Sequence, residues 1–147
     1  MIKSWDYINE YKKIKSKIIK SIDSSLSSGS LILGPQLDLF EKNFSKFIGT
    51  KFGLGVGNCT DALFIALKAL DIGKNDEVIT VSNTAVPTVT AIVNAGAKPR
   101  FVDVNDNYLM DYNKIESAIN RNTKAIIPVH LYGQTCNMTE ILKIKKK

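Results

Sequence analysis

The chain has 147 residues, of which 44% are hydrophobic and 23% charged, a composition that excludes wholesale disorder and a length that supports one domain with a real core. The longest uncharged run, residues 78–97, could cross a bilayer in length but carries Ser82, Asn83, Thr84, Pro87, Thr88, Thr90 and Asn94, so no membrane span is expected. The net charge of +6 resides in the two ends, +4 in residues 1–20 and +4 in residues 143–147, leaving −2 between them, so no nucleic-acid face is expected either.

Taken in chain order, Tyr11, Ile14, Ile18, Ile22 and Leu26 recur at spacings of three and four and predict a helix, ended by Ser27, Ser28 and Gly29. Pro35 suits the first position of a second helix, whose stripe is Leu37, Phe40, Phe44 and Phe47 and whose stop is Gly49. From there the pattern alternates. Phe52 to Val56 is a strand candidate, Thr60 to Leu70 a helix terminated by Gly73, and Val78 to Val81 a buried strand. A helix follows over Ala85 to Asn94, with Pro87 in its first turn and Gly96 past its end. Arg100 to Val104 reads as a strand, Asp111 to Asn120 as a helix, and Lys124 to Val129 as a strand rich in β-branched residues. Asn137 is a good N-cap for a last helix from about Met138, and Glu140 completes a capping-box pattern.

Strands alternating with helices predict an α/β fold: a three-layer α/β/α arrangement around a mostly parallel sheet. The expected division is an N-terminal helical segment, 1–50, and an α/β domain, 51–147. The last helix is expected to run into Lys145, Lys146 and Lys147 with no strand after it. A βα unit returns to its sheet with another strand, so the α/β domain is expected to be incomplete. The N-terminus is charged and has no apolar signal region, and Cys59 and Cys136 form no CxxC pair, which together predict a reduced cytoplasmic setting. With one histidine, zinc is not suggested.

Three loops carry residues suited to chemistry. Gly55 to Ala62 lies between a strand candidate and a helix start, where free amides and the helix dipole make an anion site. Thr60 adds a hydroxyl, and Asp61 is placed to cap or to meet a cationic ring. The loop is neither GxGxxG nor a Walker loop. Val81 to Thr88 also follows a strand and opens a helix, on the carboxyl edge where open α/β sheets bind ligands. Pro128 to Gln134, with His130, is the third. A Rossmann dinucleotide enzyme fits the alternation but lacks the glycine fingerprint.

Asn58-Cys59-Thr60-Asp61-Ala62-Leu63, Asp76 to Thr80, Gly96 to Pro99, Phe101 to Val104 and above all Thr123 to Gln134 resemble the DegT/DnrJ/EryC1/StrS family of aminotransferases, which act on nucleotide-linked sugars. Upstream, Gly29, Leu31 to Leu33 and Gly34-Pro35 extend the resemblance over nearly the whole chain. It implies a fold-type-I, pyridoxal-phosphate-dependent homodimer that moves an amino group from glutamate or glutamine to a keto sugar destined for surface polysaccharide. By the same resemblance, Cys59 and Thr60 bind the cofactor phosphate through their amides and the Thr60 hydroxyl. Ala85 stands where many members place an aromatic residue against the pyridoxal ring. The variant Asn83 to Thr88 resembles a subset acting on 3-keto sugars. The family's Schiff-base lysine, pyridinium-binding acid and neighbouring glutamine belong to a later part of the family's sequence, so no catalytic residue is assigned here. The chain is thus expected to be the N-terminal part of such an enzyme, inactive alone. The rival expectation is a non-catalytic α/β binding or assembly module.

Overall fold

The computed structural model describes residues 5–145, and the expected Lys146–Lys147 end of the last helix lies outside them. The chain divides into two compact units, Met1–Gly55 and Val56–Lys147.

The first unit is helical. Helix α1 spans Tyr7–Ser27 and α2 spans Pro35–Ile48. Pro35 sits in the first turn of α2, where its missing N–H costs nothing. Gly49 ends α2 at φ 78°, which lets the Thr50 amide reach back to the Ser45 carbonyl at 2.9 Å. Within this unit α1 has no buried residue, and its apolar stripe (Tyr11, Ile14, Ile18, Ile22 and Leu26) is exposed.

The strand expected over Phe52 to Val56 does not form; among the described residues it pairs with no other strand. Its alternating side chains fit a strand, but a strand needs a ladder partner. Here the Gly55 amide donates to the Glu41 Oε1 of α2 at 2.7 Å, and a Cβ on Gly55 would lie 2.5 Å from Leu37 Cδ1. The glycines therefore let this segment lie directly on α2.

The second unit is the α/β body. It runs α3 Cys59–Ala69, β1 Glu77–Val81, α4 Val86–Asn94, β2 Lys98–Val102, a 3₁₀ turn at Tyr112–Lys114 leading into the short α5 Ile115–Ala118, β3 Thr123–Ile126, a second 3₁₀ turn at Leu131–Gly133, and α6 Met138–Lys145. The sheet has three strands in the order β2-β1-β3, all parallel. The expected three-layer α/β class is what forms. β1 is central and almost wholly buried, which fits its apolar Val78, Ile79 and Val81.

Side chains alternate across the sheet into two cores. One face joins Val78, Ala125 and Ile127 to Leu63, Phe64 and Leu67 of α3 and Ala91 and Ile92 of α4. The other joins Ile79, Val81, Val102 and Ile126 to Ile115 of α5 and Met138 and Ile141 of α6. Several boundaries differ from the sequence expectation. β2 begins two residues earlier, because it pairs with β1 from Glu77↔Lys98 onward. Helix α3 ends at Ala69, with Asp71 rather than Gly73 adopting the left-handed conformation at φ 57°. The long helix expected over Asp111 to Asn120 shortens to a 3₁₀ turn plus one α turn. Asn137 caps α6 by accepting the Glu140 amide at 3.3 Å, but the Glu140 side chain turns to Lys143 at 2.7 Å instead of closing the box.

Candidate functional site

Helix α3 runs into β1 and α4 leaves it, both packed on the same face of the sheet. The first turns of both helices therefore lie toward the carboxyl edge of the sheet, which receives the positive ends of both dipoles. The loop after β3 leaves from the same edge, next to the central strand.

The start of α3 is the best anion site of the three loops. Asn58 is extended (φ −163°, ψ 173°) and caps the helix: its Oδ1 accepts the Asp61 amide at 3.0 Å. Its Nδ2 donates to Asp61 Oδ2 at 2.8 Å, so the Asp61 carboxylate is engaged with the cap. Of the two roles the sequence left open for Asp61, a cap or a contact to a cationic ring, the cap belongs to Asn58, and Asp61 supplies the amide. The Ala62 amide makes the first helical bond, to the Asn58 carbonyl at 3.1 Å. That leaves the Cys59 and Thr60 amides, which donate to no acceptor among the described residues. Two free amides and the Thr60 hydroxyl on an eleven-residue helix form a donor set suited to a phosphate. A Cβ on Gly57 would sit 3.3 Å from Asp61 Oδ2.

The start of α4 offers less. Ala85 is its N-cap, extended and exposed, and makes no side-chain cap bond. Pro87 removes one amide donor from the first turn. The Thr88 amide is taken by the Ala85 carbonyl at 3.1 Å, and the Thr84 and Thr88 hydroxyls bond each other at 2.8 Å. Ala85 therefore presents only a methyl group, and Ser82 and Asn83 are exposed beside it.

In the third loop, His130 Nδ1 accepts the Cys136 amide at 3.1 Å, and the Cys136 thiol donates to the Val129 carbonyl at 3.1 Å. Cys136 is 2% exposed, whereas His130 is exposed. Between them Tyr132 holds a left-handed backbone (φ 54°, ψ 27°) and is 96% exposed. The hydrogen bonds made by the side chains of Asn58, Thr84 and His130 each stay within their own loop: Asn58 with Asp61, Thr84 with Thr88, and His130 with Cys136. The loops after β1 and β3 are neighbours through the strands that carry them: the Ile127 amide donates to the Ile79 carbonyl at 2.8 Å, and the Thr80 hydroxyl donates to the Ile127 carbonyl at 3.0 Å. The His130–Cys136 closure has no sequence signature, because it depends on how five intervening residues turn. Among the described residues no helix is long and apolar enough to cross a membrane.

Comparison with known proteins agrees with this architecture. The model of the DegT/DnrJ/EryC1/StrS aminotransferase family matches residues 12–147. A relative from Micromonospora megalomicea subsp. nigra, dTDP-3-amino-3,4,6-trideoxy-alpha-D-glucose transaminase, is 45% identical over 141 residues, which is 95% of this chain and 38% of the relative. The UDP-2-acetamido-2-deoxy-3-oxo-D-glucuronate aminotransferase of Pseudomonas aeruginosa is 41% identical over 148 residues, 100% of this chain and 41% of the relative. The crystal structure of ntda from Bacillus subtilis with bound cofactor PMP superposes with a TM-score of 0.88 at 35% identity, covering 91% of this chain and 31% of that one. This chain thus spans well under half the length of these relatives and corresponds to the N-terminal part of the family. With a family match over all but its first eleven residues and the parallel α/β/α fold of its solved relatives, the chain belongs to the DegT/DnrJ/EryC1/StrS aminotransferase family.

Proposed function

We propose that this chain forms the phosphate-holding part of the active site in a pyridoxal-phosphate-dependent aminotransferase acting on a nucleotide-linked keto sugar. The observation that carries the reading is the pair of free amides, Cys59 and Thr60, at the capped start of α3. Those amides and the Thr60 hydroxyl hold the cofactor phosphate, and Asn58 keeps the first turn in shape to do so. Ala85 lies beside the cofactor ring and leaves room there rather than stacking on it. When bound, the cofactor supplies the electron sink through which an amino group passes from glutamate or glutamine to the sugar ketone. No lysine of this chain is assigned the amine role, so its contribution is binding and orientation.

Names of relatives support the substrate class. One carries a dTDP-linked and the other a UDP-linked sugar, and both place the reacting group at carbon 3, which favours a 3-keto sugar. The wider reading is a cytoplasmic homodimer that feeds amino sugars into surface polysaccharide. A second reading has its own support: the α/β unit closes a core on each face of its sheet, as a stable non-catalytic module would.

Titration of the ¹⁵N-labelled 147-residue chain with pyridoxal phosphate tests the proposal. Saturable shifts of the Cys59 and Thr60 amides are expected, with no amine transfer from glutamate. A folded chain whose two amides ignore the cofactor overturns the phosphate assignment and leaves the non-catalytic module. A stoichiometric, borohydride-fixed adduct on one lysine, with turnover, overturns the restriction to binding.

A further inference from the structure

We infer that His130 binds ligand at the carboxyl edge of the sheet, with its imidazole held as an Nε2–H donor to a phosphoryl oxygen. This rests on the nucleotide-sugar aminotransferase reading and adds a residue to its site. His130 is the only histidine of the chain, and its two nitrogens are used differently. Nδ1 accepts the Cys136 amide at 3.1 Å, so it carries no proton in that arrangement, and the neutral ring must hold its proton on Nε2. Among the described residues Nε2 meets no hydrogen-bond partner, and the residue is exposed. Without a ligand, water satisfies the second nitrogen of an exposed histidine. This one spends one nitrogen on fixing its own tautomer and orientation and presents the other to solvent.

The surrounding loop is built to hold that arrangement. The Cys136 thiol, 2% exposed, donates to the Val129 carbonyl at 3.1 Å, so the loop is tied on both sides of His130. Within the tie Tyr132 keeps φ 54°, a conformation a bulky residue adopts only where its surroundings impose it, and Gly133 follows at φ 80°. Val129 and Leu131 anchor the same loop in the core beneath the sheet. The loop leaves the carboxyl end of β3 beside central β1, on the edge toward which α3 and α4 turn their positive ends. Anionic ligands collect at such an edge, and a phosphoryl oxygen is the acceptor that a fixed neutral N–H donor complements there. That oxygen belongs either to the cofactor phosphate or to the diphosphate of the nucleotide sugar.

Because His130 is alone, its imidazole nitrogens are resolved without ambiguity in long-range ¹H–¹⁵N spectra of the labelled full chain. The free chain is expected to show protonated Nε2 and unprotonated Nδ1. Inorganic phosphate, pyridoxal phosphate and dTDP are then titrated separately. A saturable Nε2 shift is expected with pyridoxal phosphate or dTDP at concentrations about tenfold below those needed for inorganic phosphate, and the probe that acts identifies the source. His130→Asn keeps an acceptor near the Nδ1 position but removes the distal donor. It should retain exchange protection of the Cys136 amide and weaken binding of the active probe about tenfold. If Nε2 is unmoved by all three probes while the Cys59 and Thr60 amides respond, this inference fails and the proposed function stands. If the Cys59 and Thr60 amides are silent as well, both fail. Wild-type affinity in a folded His130→Asn chain also overturns the inference, and the wild-type spectra decide the matter even where that variant does not fold.

Discussion

The Thr80 hydroxyl donates to the Ile127 carbonyl at 3.0 Å across 47 residues of sequence. Thr80 is fully buried in the central strand, and Ile127 lies one residue past the end of β3. The bond, together with the Ile127 amide on the Ile79 carbonyl at 2.8 Å, extends β1–β3 pairing to the carboxyl edge after the irregularity at Glu77/Val78. Thr80→Val keeps the shape and leaves the Ile127 carbonyl without this donor. A loss of about 1–2 kcal/mol in unfolding free energy is expected, measured by urea denaturation, with Thr80→Ser losing less. A neutral or stabilising Thr80→Val would show that water already satisfies that carbonyl.

Much of this fold could be read where a local signal decided the outcome. Pro35, Gly49 and Asn137 mark helix ends because caps and left-handed turns are fixed by a few adjacent residues. Val78 to Val81 read as a buried strand because both its faces are covered. The failures are non-local. Phe52, Leu54 and Val56 alternate as a strand does, but a strand exists only with a partner, and here Gly55 bonds to Glu41 instead. Lys98 and Pro99 join β2 because Glu77 and Val78 set the register, which no residue of β2 announces. At the site, the helix start after Gly57 was legible, but Asn58 as its cap was not, and the His130–Cys136 bond arises only once the loop has folded.

Asn58→Ala removes the Oδ1 acceptor of the Asp61 amide and the Nδ2 partner of the Asp61 carboxylate together. Capping losses of this kind cost about 1 kcal/mol. The freed Asp61 carboxylate also becomes a competing anion in the first turn. Pyridoxal phosphate should therefore bind more weakly by more than the stability loss alone predicts. Adding Asp61→Asn in the same chain should recover part of the affinity, as read by amide shifts at Thr60. Equal affinities for both variants would place the phosphate elsewhere.

The two cores should respond separately to cavities. Ile79 and Ile92 are both fully buried, Ile79 on the face toward α5 and α6 and Ile92 on the face toward α3. Either change to Ala should cost about 2–5 kcal/mol. Because the side chains share no core, the double variant should lose nearly the sum of the two, with a coupling of about 0.5 kcal/mol or less. A larger coupling in urea titrations would mean that the sheet transmits strain between its faces.

The two cysteines should differ in reactivity by their surroundings alone. Cys59 is exposed at the first position of α3, whereas Cys136 is buried with its thiol on the Val129 carbonyl. A disulfide reagent such as Ellman's should modify one thiol quickly in the native chain and the second only on unfolding. Because the Cys59 amide is assigned to the cofactor phosphate, pyridoxal phosphate should slow the fast phase in proportion to its occupancy, and inorganic phosphate should do so at higher concentration. Cys59→Ser should abolish the fast phase while leaving the free amide in place, so its phosphate binding should stay within about twofold of wild type. A fast phase that survives in Cys59→Ser would mean that the loop holding Cys136 opens in the native state.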